Sequence, residues 1–183
     1  MNIKLGRKRQ HSMNCMLLSK PLMAIDFVQL AALSSVCNAG PVVWERLSRL
    51  PDVDDSFREN FHARIVESGF HFRESVQDQT MVIRAFRDLL PPYSGPSQKL
   101  YRGEIASKHE RRDYGFSWTP LLRVAQRLFV ERRQILNGEP GILLETIAPP
   151  EAIIAAPHPH SIYIGEYEYI VDPAALQEIR VIE

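Results

Sequence analysis

A turn-rich segment at 91–97, Pro-Pro-Tyr-Ser-Gly-Pro-Ser, divides this chain into two parts with different hydrophobic patterns. Before it, apolar residues recur at helical spacing and predict helices at 22–37, 42–50, 54–68 and 74–90. After it, short apolar runs predict strands at 99–105, 115–119, 142–147, 152–156, 162–170 and 179–182, with one helix over 120–135. The chain is therefore expected to be an α+β protein, with a helical region, 22–96, beside a mostly antiparallel β-rich half, 97–183, of one domain.

Composition places the chain among ordinary globular proteins. Its 183 residues are 45% hydrophobic and 24% charged, which is enough for the core of one domain. The 22 basic and 22 acidic residues cancel, which argues against a protein whose main role is to neutralise nucleic-acid phosphates and leaves room only for a local basic groove. Cys15 and Cys37 match no metal-binding spacing, so a reducing, cytoplasmic location is expected.

The N-terminal sequence imitates a signal peptide, because basic residues within 1–20 precede an apolar stretch. Asp26 and several polar residues interrupt that stretch, which makes it too polar for a membrane span and unlike a secretion signal. We therefore expect residues 1–21 to be a basic, flexible leader, and we expect no membrane partner.

Two carboxylates, Glu166 and Glu168, stand two residues apart at the start of an apolar run. If that run is a strand, both side chains lie on one face and the intervening Tyr167 on the other. Like charges on one face cost stability, whereas a pair of such carboxylates is what chemistry at a sugar anomeric carbon requires. The alternative is an exposed edge strand whose charges discourage aggregation.

Three short motifs fall in order along the β-rich half: Tyr101-Arg102-Gly103, Ser117-Trp118-Thr119 and Glu166-Tyr167-Glu168. Over residues 99–173 the chain resembles the ADP-ribosyltransferase superfamily, in the toxin-like mono-ADP-ribosyltransferase branch marked by Arg, Ser-x-Thr and Glu-x-Glu. Trp118 departs from the family pattern, in which many relatives have threonine there. The resemblance implies a split, mostly antiparallel sheet core that binds NAD as a substrate and uses no metal.

The resemblance assigns the residues that bind NAD. Arg102 would supply a planar fork for the pyrophosphate or the adjoining ribose. Gly103 would bring its backbone close to the nicotinamide carboxamide. Ser117 would orient the catalytic glutamate and help to hold the nicotinamide ribose, and Thr119 would share its strand face. Phe116 would lie near the nicotinamide.

The resemblance also separates the roles of the two carboxylates. Glu168 would stabilise the positive charge that develops on the ribose as nicotinamide leaves. Glu166 would contact the incoming nucleophile and help to remove its proton. Tyr163, in the segment before them, would contact the acceptor.

Simpler structural roles compete with several of these assignments. Arg102 could form a surface ion pair, Thr119 could cap a helix that starts at Pro120, and Phe116 could belong to the core. His158 and His160 flank a proline with no third ligand nearby, so we expect exposed loop residues and no metal site.

The expected activity is transfer of ADP-ribose from NAD to a macromolecular acceptor, either an arginine side chain or a nucleobase. The resemblance places such an enzyme inside a cell, as a toxin, an anti-phage protein or a phage effector, with a possible antitoxin partner. Two alternatives stay open: a catalytically inactive interaction module on the same fold, and an NAD glycohydrolase without an acceptor.

Overall fold

A computed structural model of the chain describes residues 54–75, 78–127 and 141–182, without the side chains of 68–75. The predicted leader and the predicted helices at 22–37 and 42–50 lie outside the described residues. Within those ranges the protein combines helices with antiparallel sheet, as an α+β protein does. None of the helices described there is both long and apolar enough to cross a membrane.

Two helices precede the sheets: α1, Asp55–Ser75, and α2, Gln79–Leu89. Asp78 caps α2, since its Oδ1 accepts the backbone N–H groups of Thr80 and Met81 at 3.0 and 3.3 Å. Pro91 and Pro92 follow Leu90 and prevent the helix from continuing. The predicted helix at 74–90 therefore exists, but it begins at the Asp78 cap.

The end predicted for α1 was wrong. Gly69 was expected just past the last turn, but the helix continues through it to Ser75. A glycine inside a helix costs about 1 kcal/mol relative to alanine, which the rest of a 21-residue helix tolerates.

Six strands form two antiparallel sheets: β1 (Gln98–Ile105), β2 (Ser117–Trp118), β3 (Gly141–Ala148), β4 (Ile153–Ala155), β5 (Tyr169–Val171) and β6 (Ile179–Val181). The first sheet has the order β1-β3-β6, and the second β2-β5-β4. In the first, β1 and β3 pair along their whole length, from Gln98 opposite Ala148 to Ile105 opposite Gly141. The strands predicted at 99–105, 115–119, 142–147, 152–156 and 179–182 are thus confirmed within a few residues.

The two sheets meet where β1 passes the end of β2. Tyr101 and Thr119 exchange backbone hydrogen bonds of 2.7 and 3.0 Å, which join the first sheet to the second. Two short α-helices, α3 (Ala106–Glu110) and α5 (Pro159–Tyr163), and two 3-10 helices, Pro150–Ala152 and Pro173–Ala175, lie between the strands. A further helix, α4, is described from residue 122 to residue 127, where the described range ends. The helix predicted at 120–135 begins at residue 122, and its part beyond 127 lies outside the described residues.

The second sheet separates two hydrophobic cores. Ile170 and Ile154 face α1 and α2, where they pack with Phe61 and Phe86. The alternate residues Val171 and Ile153, together with Trp118, pack with the first sheet. This alternation follows from the period of two along a strand.

The strand predicted at 162–170 was wrong except at its end. Residues 159–163 form α5, and only Tyr169–Val171 are extended as a strand. His158 and Pro159 cause the difference: the ring of His158 caps the helix, and proline is pre-organised for its first position. Gly165 and Tyr167 then adopt positive φ values of 78° and 51°, which a strand does not contain.

Candidate functional site

Arg102 lies on the inward face of β1 and is 7% exposed. Its Nε donates to Glu104 Oε2 at 3.0 Å, and its Nη1 donates to the carbonyl of Ser117 at 2.7 Å. The alternative of a surface ion pair was therefore wrong, because the Arg102–Glu104 pair is buried. These two contacts fix the guanidinium in one orientation at the junction of β1 and β2.

Gly115 stands directly against this guanidinium. A Cβ at position 115 would lie 2.6 Å from Arg102 Cζ, closer than carbon atoms pack. The sequence predicted no role for Gly115. Gly103, to which the resemblance gives a backbone contact with nicotinamide, lies in β1 opposite Leu143, and that contact stays a prediction. For Gly115, the only signal of a role in the sequence was its position two residues before Ser117.

The Ser-Trp-Thr motif sits where the sheets meet. Ser117 is half-buried opposite Ile170, and Trp118 packs in the core between the sheets. Thr119 Oγ1 donates to the carbonyl of Glu166 at 2.6 Å and accepts from the N–H of Leu121 at 3.2 Å. Thr119 therefore supports the start of α4, as the simpler role predicted, and also holds the backbone of Glu166.

Phe116 is a core residue, as its simpler role predicted. It is buried, and its ring meets that of Phe86 edge to face at 5.2 Å. The packing directs Phe116 toward α2, so its predicted contact with nicotinamide finds no support here.

Residues Glu166–Glu168, here named the carboxylate turn, are held by one serine. Ser161, which is fully buried, accepts the N–H groups of Glu166 and Tyr167 on its carbonyl, at 2.9 and 3.3 Å. Its Oγ accepts the N–H of Glu168 at 2.8 Å. The two glutamates therefore lie on a hydrogen-bonded turn, and the expectation that they share one face of a strand was wrong. Nothing in the sequence singled out Ser161 except that it is a small hydroxyl residue within an apolar run.

The two carboxylates have different surroundings. Glu166 Oε1 lies 3.3 Å from Arg127 Nη2 in a partly exposed ion pair, a kind that contributes at most about 1 kcal/mol. Glu168 is half-buried, and its Oε1 is shielded from solvent. Shielding strengthens the electrostatic interaction of a carboxylate with a nearby positive charge.

His158 is 6% exposed, so the expectation of an exposed loop residue was wrong. Its Nδ1 accepts the N–H of His160 at 3.0 Å, and its Nε2 lies 2.8 Å from Oε1 of Glu59 on α1. The ring of His62, also on α1, meets that of His158 edge to face at 4.9 Å. Burial, and secondly the proximity of His158, lower the pKa of His62 to about 4, although Glu59 opposes the shift.

Tyr163 is 87% exposed at the end of α5. Ile162, Ile164 and Tyr167 beside it are also exposed, so an apolar surface adjoins the carboxylate turn. The predicted contact between Tyr163 and an acceptor stays a prediction.

Direct contacts thus connect the three motifs, which are far apart in sequence. Arg102 binds the Ser117 carbonyl, and Thr119 binds the Glu166 carbonyl. None of the predicted site residues lines the open groove of about 290 Å³ between β3 and β6. In the ranges that the structure describes, no three His, Cys, Asp or Glu side chains are grouped to hold a metal ion.

Comparisons of the chain with protein-family models, with curated proteins and with solved structures found no match.

Proposed function

We propose that this protein is a mono-ADP-ribosyltransferase that takes ADP-ribose from NAD, on an ADP-ribosyltransferase-like fold. The observation that carries the proposal is the convergence of its three motifs at the junction of the sheets. There Arg102 binds the backbone of Ser117, and Thr119 binds the backbone of Glu166 at the start of the carboxylate turn. Strand and helix ends of a rigid scaffold hold a binding site more accurately than free loops do.

In the proposed reaction, the bond between the ribose C1′ and the nicotinamide nitrogen breaks. Its electron pair leaves with the nitrogen, so nicotinamide departs neutral and positive charge develops on the ribose. Glu168 stabilises that charge. Because the charge on the ribose is larger in the transition state than in bound NAD, this stabilisation lowers the barrier to cleavage. The nucleophile of the acceptor forms a new bond to C1′ and gives its proton to Glu166.

The proposed role of Arg102 is to orient NAD through its pyrophosphate or the adjoining ribose. Its Nε and Nη1 are held by Glu104 and Ser117, and the guanidinium lies where a side chain at position 115 would otherwise be. An arginine fixed in this way loses little freedom when it binds an anionic group.

A macromolecular acceptor is proposed because an exposed apolar surface that includes Tyr163 adjoins the carboxylate turn. Action in the cytoplasm, as a toxin or phage-related effector with a neutralising partner, follows from the resemblance alone. Whether the acceptor is an arginine or a nucleobase is an outcome of the experiment below.

The test is incubation of the full chain with NAD labelled in the adenylate part, in the presence of cell lysate. We expect labelled macromolecules with the wild type, none with Glu168→Gln, and normal labelling with the control Glu178→Gln, which makes the same chemical change at an exposed site. Glu166→Gln should lower the rate of ADP-ribose transfer more than it lowers the rate of the slow hydrolysis of NAD, because only transfer uses the acceptor's proton.

Protease and nuclease treatment of the product then identifies the kind of acceptor. Labelling that persists in Glu168→Gln would contradict the assignment of the catalytic carboxylate. Release of nicotinamide without a labelled macromolecule would indicate an NAD glycohydrolase. Failure of the wild type to bind or cleave NAD would indicate an inactive interaction module.

A further inference from the structure

We propose that His158 is a positioning residue for the carboxylate turn, and that Glu59 of α1 holds His158 in place. The inference rests on the proposed function in one respect, since the turn matters for catalysis only if its glutamates act on NAD. A chain of short contacts from α1 to the turn carries it.

The first link joins α1 to His158. The imidazole accepts the His160 N–H on Nδ1, so its proton is on Nε2, which donates to Glu59 Oε1 at 2.8 Å. The buried ring of His62 packs against the same imidazole. His158 is thus fixed by a hydrogen bond at each nitrogen and by an aromatic contact.

The second link joins His158 to the start of α5. The bond from the His160 N–H to Nδ1 caps this helix, which has only five residues, Pro159–Tyr163. A helix this short is not stable by its own hydrogen bonds. Its position therefore depends on the cap and on packing against α1.

The third link joins α5 to the carboxylate turn through Ser161. The carbonyl and hydroxyl of this buried serine accept the N–H groups of Glu166, Tyr167 and Glu168. Tyr167 adopts a left-handed conformation, with φ 51°, which a residue with a side chain keeps only when its surroundings impose it. A shift of α5 would therefore release the turn.

The experiment measures two quantities in the full chain: amide hydrogen exchange of Glu166 and Glu168 by NMR, and the kinetics of NAD cleavage. In His158→Ala we expect these amides to exchange at least about tenfold faster, while those of α2 are unchanged. We expect kcat to fall about 10- to 100-fold with KM for NAD within about threefold, because misplaced catalytic groups lose rate more than binding.

Three further variants separate positioning from a general loss of structure. His158→Asn should restore much of the protection and of kcat, because asparagine also caps helices. His160→Ala is the matched control, since it removes an imidazole two residues away and keeps the backbone N–H that makes the cap. Glu59→Ala removes the other partner of His158, and its 60% exposed side chain contributes little packing, so the fold should persist while the turn loosens.

Hydrogen exchange of the turn amides decides the positioning role of His158. Unchanged exchange of the turn amides in His158→Ala and Glu59→Ala would overturn the positioning role. Faster exchange across α2 as well, without rescue by asparagine, would also overturn it, because His158 would then be a general stabilising residue. A wild type that cleaves no NAD would overturn the proposed function and the effect on kcat, while exchange would still decide whether His158 holds the turn.

Discussion

At the scale of single residues, the environment of Arg102 shows why a glycine occupies position 115. The guanidinium is fixed by Glu104 and the Ser117 carbonyl, so it cannot move aside for a new side chain. Removal of one member of a buried ion pair costs about 3–5 kcal/mol, which makes displacement of Arg102 unfavourable. Gly115 does not have a positive φ, so it is the guanidinium and not the backbone that excludes a larger residue.

We therefore predict that Gly115→Ala lowers the free energy of unfolding by about 1–3 kcal/mol through overpacking. The same change should cost clearly less in an Arg102→Lys background, because an ammonium lacks the breadth of the guanidinium and still pairs with Glu104. Denaturant unfolding of the four proteins of this double-mutant cycle measures the coupling. Additive losses would show that the guanidinium is not what the new methyl group meets.

At the scale of secondary structure, capping residues and prolines, more than the spacing of apolar residues, determine where the helices begin and end. Asp78 starts α2 where periodicity alone placed the start at residue 74, and the His158 cap with Pro159 makes a helix where alternation favoured a strand. The strands with turn residues on both sides were predicted within a few residues. The error at 162–170 arose because three apolar residues fit a strand and one exposed helical turn equally well.

The Asp78 cap yields a prediction at this scale. Asp78→Ala should lower the free energy of unfolding by about 1 kcal/mol, because two N–H groups at the start of α2 lose their acceptor. Asp88→Ala, near the other end of the same helix, is the control. It should be neutral or slightly stabilising, since a negative charge is unfavourable near a helix C-terminus. Urea titration distinguishes the two, and equal losses would contradict the capping role.

The part of the candidate site that lies in short sequence motifs could be predicted from the sequence. Arg102, Thr119 and Glu166 were expected together, and contacts to backbone carbonyls do connect their segments. Ser161, His158 and Gly115 were not foreseen, because each acts on a group that only tertiary folding brings near. No pattern along the chain relates Glu59 to His158, which are 99 positions apart.

At the scale of the whole molecule, α1 is connected to the sheets by polar as well as apolar contacts. The core that holds Phe61 and Ile65 of α1 also contains Ile154 and Ile170 of the second sheet. At the edge of that core, His62 faces His158 and Glu59, and its Nε2 is buried with no hydrogen-bond partner among the described residues. A proton on His62 would therefore be a buried charge at the contact between α1 and α5.

His62 makes the stability of the whole protein depend on pH in a defined range. The pKa of His62 is about 4 in the folded protein, against the ordinary histidine value of 6.5 that applies to the unfolded chain. Between these two pH values the unfolded chain therefore binds the proton and the folded protein does not. Stability should fall as pH decreases from 6.5 to 4, by on the order of 3 kcal/mol, and this contribution should be constant above pH 6.5. Unfolding free energies of His62→Leu should decline less over that range, whereas the control His160→Gln should follow the wild type. Parallel pH profiles for wild type and His62→Leu would exclude His62 as the source.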